Sequence, residues 1–217
     1  LHRGKIVKGS LREGDTVEVT VEEGRRLDIA RNHTATHLLQ AALRSVLGKH
    51  IQQRGSLVAP DRLRFDFTHL SPMTSEEKQK VEQEVNRYIR QNLPVKSEVV
   101  AYPEAVKRGA LAFFGEKYGE KVRILQIGES PISQELCGGT HLHLTGQIGM
   151  FVITSERIIG AGLRRIEAVT GRGAELLVQS YIDSIQKMSV QLACVPEKVE
   201  QTVTAVLKEL EKEKKFS

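Results

Sequence analysis

The spacing of apolar positions changes several times along this chain, and each change predicts an element. Val17, Val19 and Val21 alternate with charged and hydroxylated residues, the period of a half-buried strand. Lys5-Ile6-Val7 and the turn Arg12-Glu13-Gly14-Asp15 add a second short strand before it. The period then lengthens. Ala35, Leu38, Leu39, Ala42 and Val46 recur at helical spacing, predicting a helix from an N-cap at Asn32 to Leu47, stopped by Gly48. Alternation returns over 51–59 and 62–68, where Leu63, Phe65 and Phe67 interleave with Arg62, Arg64 and Asp66, and Pro60-Asp61 supplies the turn. Thr74 to Glu77 is a capping box for a second helix that carries Val81, Val85, Ile89 and Leu93 and ends before Pro94.

A strand over 95–101, a short helix over 103–109 and a strand from Val122 to Ile127 follow. Beyond the turn Cys137-Gly138-Gly139-Thr140-His141, the pattern gives Leu142 to Leu144, then a strand from Ile148 to Glu156. Gly160-Ala161-Gly162 interrupts it before a last strand, Leu163 to Val169. From Gly173 onward the chain reads as helix, with Val199, Val203, Val206 and Leu210 in 4-3-4 spacing after Pro196. The class this predicts is α+β: an antiparallel sheet with helices packed on it around a cleft. Residues 1–28 read as the tail of a β-barrel, and 173–217 as a long helical linker.

Composition narrows the setting. The chain has 217 residues, 40% apolar and 27% charged, the balance of an ordinary soluble domain. No apolar run approaches the ~18 residues of a membrane span. The start at Leu1, with neither initiator Met nor signal peptide, reads as a piece of something longer. Two cysteines make no disulfide framework and point to a reducing, cytoplasmic setting. A net charge of +5 permits a polyanionic partner, while 5% aromatics without Trp offer no base-stacking platform.

Two short motifs carry chemistry. His33 and His37 stand at i, i+4 on the helix face opposite its apolar seam, one turn apart, as two imidazoles sharing a metal must be. Cys137 and His141 form a second pair on the Gly-Gly turn. One thiolate and three imidazoles suit Zn²⁺. Thr34 stands where a metalloprotease box needs Glu, which excludes that class. Two readings stay open: a closed zinc site that staples a helix to a loop, or a functional centre. Thr36, Gln40, Arg44 and Gln53 supply polar groups that a staple does not need. His143 reads as a neighbour of the site or a surface residue, and His2, His50 and His69 as isolated and exposed. Arg62, Arg64, Arg123, Arg164 and Arg165 sit on or beside strands, where phosphate contacts and internal salt bridges are equally plausible. The spacing yields no Ser-His-Asp triad and no Walker loop.

Several blocks resemble one family. Asn32-His33-Thr34-Ala35-Thr36-His37-Leu38-Leu39, Gln53-Arg54-Gly55-Ser56-Leu57-Val58 and Arg62-Leu63-Arg64-Phe65-Asp66-Phe67 are similar to the editing domain of alanyl-tRNA synthetases. So are Phe114-Gly115-Glu116-Lys117-Tyr118-Gly119, Glu135-Leu136-Cys137-Gly138-Gly139-Thr140-His141 and Arg164-Arg165-Ile166-Glu167-Ala168. The related free-standing editing proteins and the threonyl-tRNA synthetase editing domain share the type. The resemblance implies an editing domain over 29–172, between the end of a β-barrel and the start of a linker. It implies hydrolysis of serine or glycine from mischarged tRNA(Ala), with the other domains of the same synthetase as partners. Carried over by position, His33, His37, Cys137 and His141 would hold zinc, and Gln53 and Thr36 would act on the substrate. Arg62, Arg64, Arg164 and Arg165, from their placement on or beside strands, are the expected tRNA contacts. Two rivals predict other behaviour: a non-catalytic, zinc-stapled module that docks the acceptor stem, and a generic metal-dependent esterase active without tRNA.

Overall fold

The computed structural model describes residues 4–111 and 119–213. Helix α1 spans Glu23–Leu47, longer at its start than its apolar spacing predicts. The Glu22 side chain accepts from the Arg25 N–H at 2.7 Å and caps it. Gly48 closes it at φ 118, a conformation that favours glycine. Asn32, expected as the N-cap, lies buried inside the helix. Its amide donates to Ala59 O at 2.7 Å and its carbonyl oxygen accepts from Thr170 Oγ1 at 2.7 Å. A polar residue that looks like a helix start is thus spent on tertiary bonds. Residues 4–22 form no strand, and Val17, Val19 and Val21 stay exposed. Their alternation finds no partner strand among the described residues, and period alone does not make a sheet.

Strands β1 (Gln53–Val58) and β2 (Leu63–Thr68) form the expected hairpin. Helix α2 (Ser75–Arg90) opens on the Thr74–Glu77 capping box and ends four residues short of Pro94; Asn92 takes a positive φ of 50° beyond it. Then come β3 (Val95–Ala101), α3 (Tyr102–Lys107), β4 (Lys121–Ile127) and β5 (Ser133–Leu136). Strand β5, four residues long, is too short for its alternation to predict it. The block Phe114 to Tyr118 lies outside the described residues. A 3₁₀ turn at Thr145–Ile148 precedes β6 (Phe151–Gly160) and β7 (Leu163–Thr170). Helix α4 (Gly171–Gln191) and helix α5 (Val199–Glu213) are the last helices among the described residues.

Among the described residues the strands make two antiparallel sheets where one was expected, in the orders β1-β2-β7-β6 and β3-β4-β5. Helix α1 touches both. Its Ala35, Leu38, Leu39 and Ala42 are sealed against Leu63, Phe65, Phe67, Ile166 and Ala168 of the four-stranded sheet and Val81, Val85 and Ile89 of α2. Truncating one of these leucines to Ala costs roughly 2–5 kcal/mol. A smaller cluster of Val100, Ala105, Val122, Ile124 and Leu136 holds the second sheet together. Contact between α1 and β5 brings that sheet's last strand against the polar side of the helix. Leu176, Tyr181, Ile182, Ile185 and Met188 remain exposed on α4. No helix among the described residues is long and apolar enough to cross a membrane.

Candidate metal centre

Where β5 meets α1, the two motifs converge. The ligand atoms of His33, His37, Cys137 and His141 all lie within 4.8 Å of one another. Cys137 Sγ is 3.4 Å from His33 Nε2 and 3.2 Å from His141 Nε2. Tetrahedral ligands sharing one zinc, with Zn–S near 2.3 Å and Zn–N near 2.0–2.1 Å, must keep roughly 3.5 Å between sulfur and nitrogen. The His37 ring is buried, and its Nε2 has no protein hydrogen-bond partner. A buried nitrogen left unpaired beside a thiol and two more imidazoles is the signature expected of a ligand. The donor set and the spacing therefore fit zinc.

Supporting groups orient the ligands. His37 Nδ1 lies 2.9 Å from Glu135 Oε2, a close ion-pair contact although off the line of a straight hydrogen bond. Ser133 Oγ donates to Glu135 Oε1 at 2.7 Å, and both residues are buried. Such a carboxylate behind an imidazole fixes its tautomer and strengthens it as a ligand. Thr34 Oγ1 accepts from the Leu142 N–H at 3.1 Å and stands 3.5 Å from His141 Nδ1. In the Gly-Gly turn, a Cβ at Gly139 would lie 1.9 Å from His33 Cε1, whereas one at Gly138 would meet nothing within 4 Å. Only the second glycine lets the turn approach the ring. On β4, the Arg123 carbonyl accepts from the Cys137 N–H at 3.0 Å. Its guanidinium donates to Gly139 O at 2.5 Å and to Ser97 Oγ at 3.0 Å.

Charge follows from this packing. Burial opposes a charged His37, but the Glu135 carboxylate and the Cys137 sulfur outweigh it and push its pKa up to about 10. Burial also opposes the Cys137 thiolate, and the three histidine rings around the sulfur overcome it, taking the thiol down to about 3. Burial dominates at His141 and lowers it to about 4. The His37 and Cys137 shifts both favour a deprotonated ligand sulfur before any metal arrives.

The quartet borders a cavity of about 430 Å³ lined by Thr36, Gln53, Arg54, Gly55 and Ser56 and by the turn residues Cys137 to Gly139. A bulge between Gln53 and Gly55 breaks the strict alternation of β1. Gln53 Nε2 donates to Ser56 Oγ across it at 3.3 Å. Thr36 Oγ1 donates to His33 O at 2.7 Å. Gln40 and Arg44 share the histidine face but do not line the cavity: Gln40 is buried, and Arg44 donates to Lys49 O and Ile51 O.

The arginines divide. Arg164 is buried, with its guanidinium on Glu156 at 2.5 Å. Arg165 grips Asp66 through two bonds of 2.7 and 2.8 Å, and Arg64 Nε lies 3.8 Å from the same carboxylate. Arg62 pairs with Asp61 at the exposed hairpin turn. His143 is exposed and stands outside the quartet. His50 and His69, expected to be isolated, are partners: Nε2 and Nδ1 are 3.1 Å apart and the rings stack at 5.4 Å. The hairpin register that joins them is invisible to local spacing. Sequence reasoning also gave Glu135, Thr34 and Arg123 no part in the site. Glu135 was accessible in principle, two residues before Cys137 and so on the same side of an extended segment.

A ligand quartet at a helix–strand junction, beside a polar cavity, defines a candidate metal-binding domain. The family model described as the threonyl and alanyl tRNA synthetase second additional domain matches residues 122–167. The alanine–tRNA ligase of Dehalococcoides mccartyi is 50% identical over 215 residues, 99% of this chain and 25% of that protein. That of Chloroflexus aurantiacus is 48% identical over 219 residues, 96% of this chain and 24% of that protein. Over nearly its whole length the chain is similar to alanine–tRNA ligases, and it spans about a quarter of the length of the curated relatives it matches.

Proposed function

We propose that this chain is the editing hydrolase of an alanine–tRNA ligase and cleaves the ester of Ser-tRNA(Ala) and Gly-tRNA(Ala) in the cytoplasm. The observation that carries the reading is the position of the quartet. It borders an open cavity lined by Thr36, Gln53 and Ser56 instead of being sealed between helix and loop. The need for a second site is physical. One methyl distinguishes glycine from alanine by only about 1–3 kcal/mol, and an apolar pocket rejects an added hydroxyl poorly.

In this reading, Zn²⁺ is held by His33, His37, Cys137 and His141. The chemistry a bound zinc supplies is a fixed positive charge that orients and polarises the ester. Four protein ligands fill a tetrahedral shell, so an orienting role is the one assigned. Glu135 presents the His37 imidazole with Nε2 toward the quartet. Thr36, whose hydroxyl proton is engaged by His33 O, keeps lone pairs to accept from a seryl hydroxyl. An alanyl methyl has no such donor. Gln53, steadied by Ser56, offers its amide to the aminoacyl group. Arg62 and Arg64 are proposed as tRNA contacts. Arg164 and Arg165, also expected at tRNA, have internal carboxylate partners that make structural roles the better assignment. Residues 4–22 are proposed as the edge of a neighbouring β domain, and α4 and α5 as a linker to further synthetase domains.

Deacylation of Ser-tRNA(Ala) against Ala-tRNA(Ala), with and without chelator, tests the reading. The wild-type chain should hydrolyse the seryl ester selectively, and Cys137→Ala should lose that activity while keeping its fold and RNA binding. Undiminished hydrolysis by folded Cys137→Ala sinks the proposal. Loss of melting temperature and RNA binding together with activity favours the zinc-stapled docking module.

A further inference from the structure

Arg123 grips the ligand turn at two points. Its main-chain carbonyl takes the Cys137 N–H at 3.0 Å, and its side chain reaches past to Gly139 O at 2.5 Å. The second arm of the guanidinium is anchored on Ser97 Oγ of the neighbouring strand β3 at 3.0 Å. The turn is thereby fixed to the three-stranded sheet at its first residue and its middle. On its other side it presses on α1, since Gly139 leaves no room for even a methyl against the His33 ring. Between these two walls the turn has little freedom. Cys137 and His141, at its two ends, must meet His33 and His37 with errors of only a few tenths of an ångström for one metal to reach all four.

We infer that Arg123 is a positioning residue for the metal centre: its forked guanidinium holds the Cys137–His141 turn at the distance from α1 that four-fold ligation requires. It touches neither metal nor substrate. Lysine cannot replace it, because a single ammonium cannot bond Gly139 O and Ser97 Oγ in the fixed planar geometry of a guanidinium. Ser97 serves one step further out, keeping the fork from swinging. The inference rests on the metal-centre reading but not on deacylation, so it can fail separately from the proposed editing activity.

The test is titration of the 217-residue chain with Co²⁺ and Zn²⁺, following the visible absorption of tetrahedral cobalt and competing with a chromophoric chelator. Melting temperatures are measured in excess chelator. The wild-type chain should bind one equivalent. Arg123→Lys should raise the metal Kd about 10- to 100-fold, the range for lost outer-shell support, and should weaken or shift the cobalt bands. Its melting temperature in chelator should match the wild type. Ser97→Ala should move Kd the same way, by less. Arg123→Lys with wild-type Kd and spectrum overturns the inference. So does an Arg123→Lys chain that melts as much lower in chelator as in metal, because the arginine is then holding up the fold alone. A wild-type chain that takes up no metal removes the centre itself.

Discussion

Two histidine groups in this chain look alike by proximity and differ in everything else. His50 and His69 stack at 5.4 Å and share one contact of 3.1 Å. His33, His37 and His141 have ring centroids 4.2 to 5.6 Å apart, a range that takes in the same spacing. Yet the second group has a thiol among its ligand atoms, a buried carboxylate behind one ring, a glycine cut to fit another, and a cavity at its edge. The first has an exposed ring at His50, and among the described residues the one other ring stacked on the pair is Phe67, against His69. Proximity of imidazoles is therefore a poor sign of a metal centre. Depth, mixed donors and outer support distinguish it.

The hardest blow to that contrast should come from Gly139→Ala. The added Cβ would sit 1.9 Å from His33 Cε1, so turn or ring must move, and metal affinity should fall by more than about 100-fold, beyond the range for lost outer-shell support. Gly138→Ala, with open space around it, is the matched control and should bind metal normally. Equal behaviour of the two alanine variants in a cobalt titration refutes the steric account. Next in size, Glu135→Gln keeps the shape but removes the charge beside His37, and metal Kd should rise about 10- to 100-fold. A calorimetric Kd within twofold of wild type shows instead that the carboxylate is incidental.

A third expectation concerns pH in the metal-free chain. His141 titrates near 4 in the folded protein against an ordinary 6.5, so the unfolded chain binds the extra proton and stability falls as pH drops from 6.5 through 4. Cys137, lowered from 9.0 to about 3, contributes with the same sign over its wider range. His37, raised from 6.5 to about 10, has the opposite sign: its contribution is complete below 6.5 and is lost as pH rises through 10. Between 6.5 and 9 the last two oppose each other. Urea melts in chelator should show a steep acid limb below 6.5 and a flat region above it. A chain that gains stability on going from pH 6.5 to 4 contradicts these assignments. The smallest effect belongs to the other pair: His50→Ala should cost about 1 kcal/mol or less and leave the cobalt spectrum unchanged.

Local signals served well where one element decides the outcome. The Thr74–Glu77 box, the Gly48 stop and the Phe65–Phe67 alternation all appear as read, because capping and pleat are settled within a few residues. They failed where a distant partner decides. Asn32 looked like a cap until Ala59 and Thr170 were seen to hold it inside α1. Arg164 looked available to phosphate until β6 placed Glu156 against it. Val17, Val19 and Val21 had strand spacing but no neighbouring strand among the described residues.

The order of residues determined by itself which side chains can ligate and how each pair is spaced. An i, i+4 histidine pair shares a face of any helix, and a Gly-Gly turn allows close backbone approach. Only the tertiary structure decided that the pairs meet, across 104 residues from His33 to Cys137. It also decided that Glu135 stands behind one ligand and that Arg123 holds the turn carrying two others. The reason is that spacing within an element follows from backbone geometry, whereas contact between α1, β4 and β5 depends on the register and packing of the whole core.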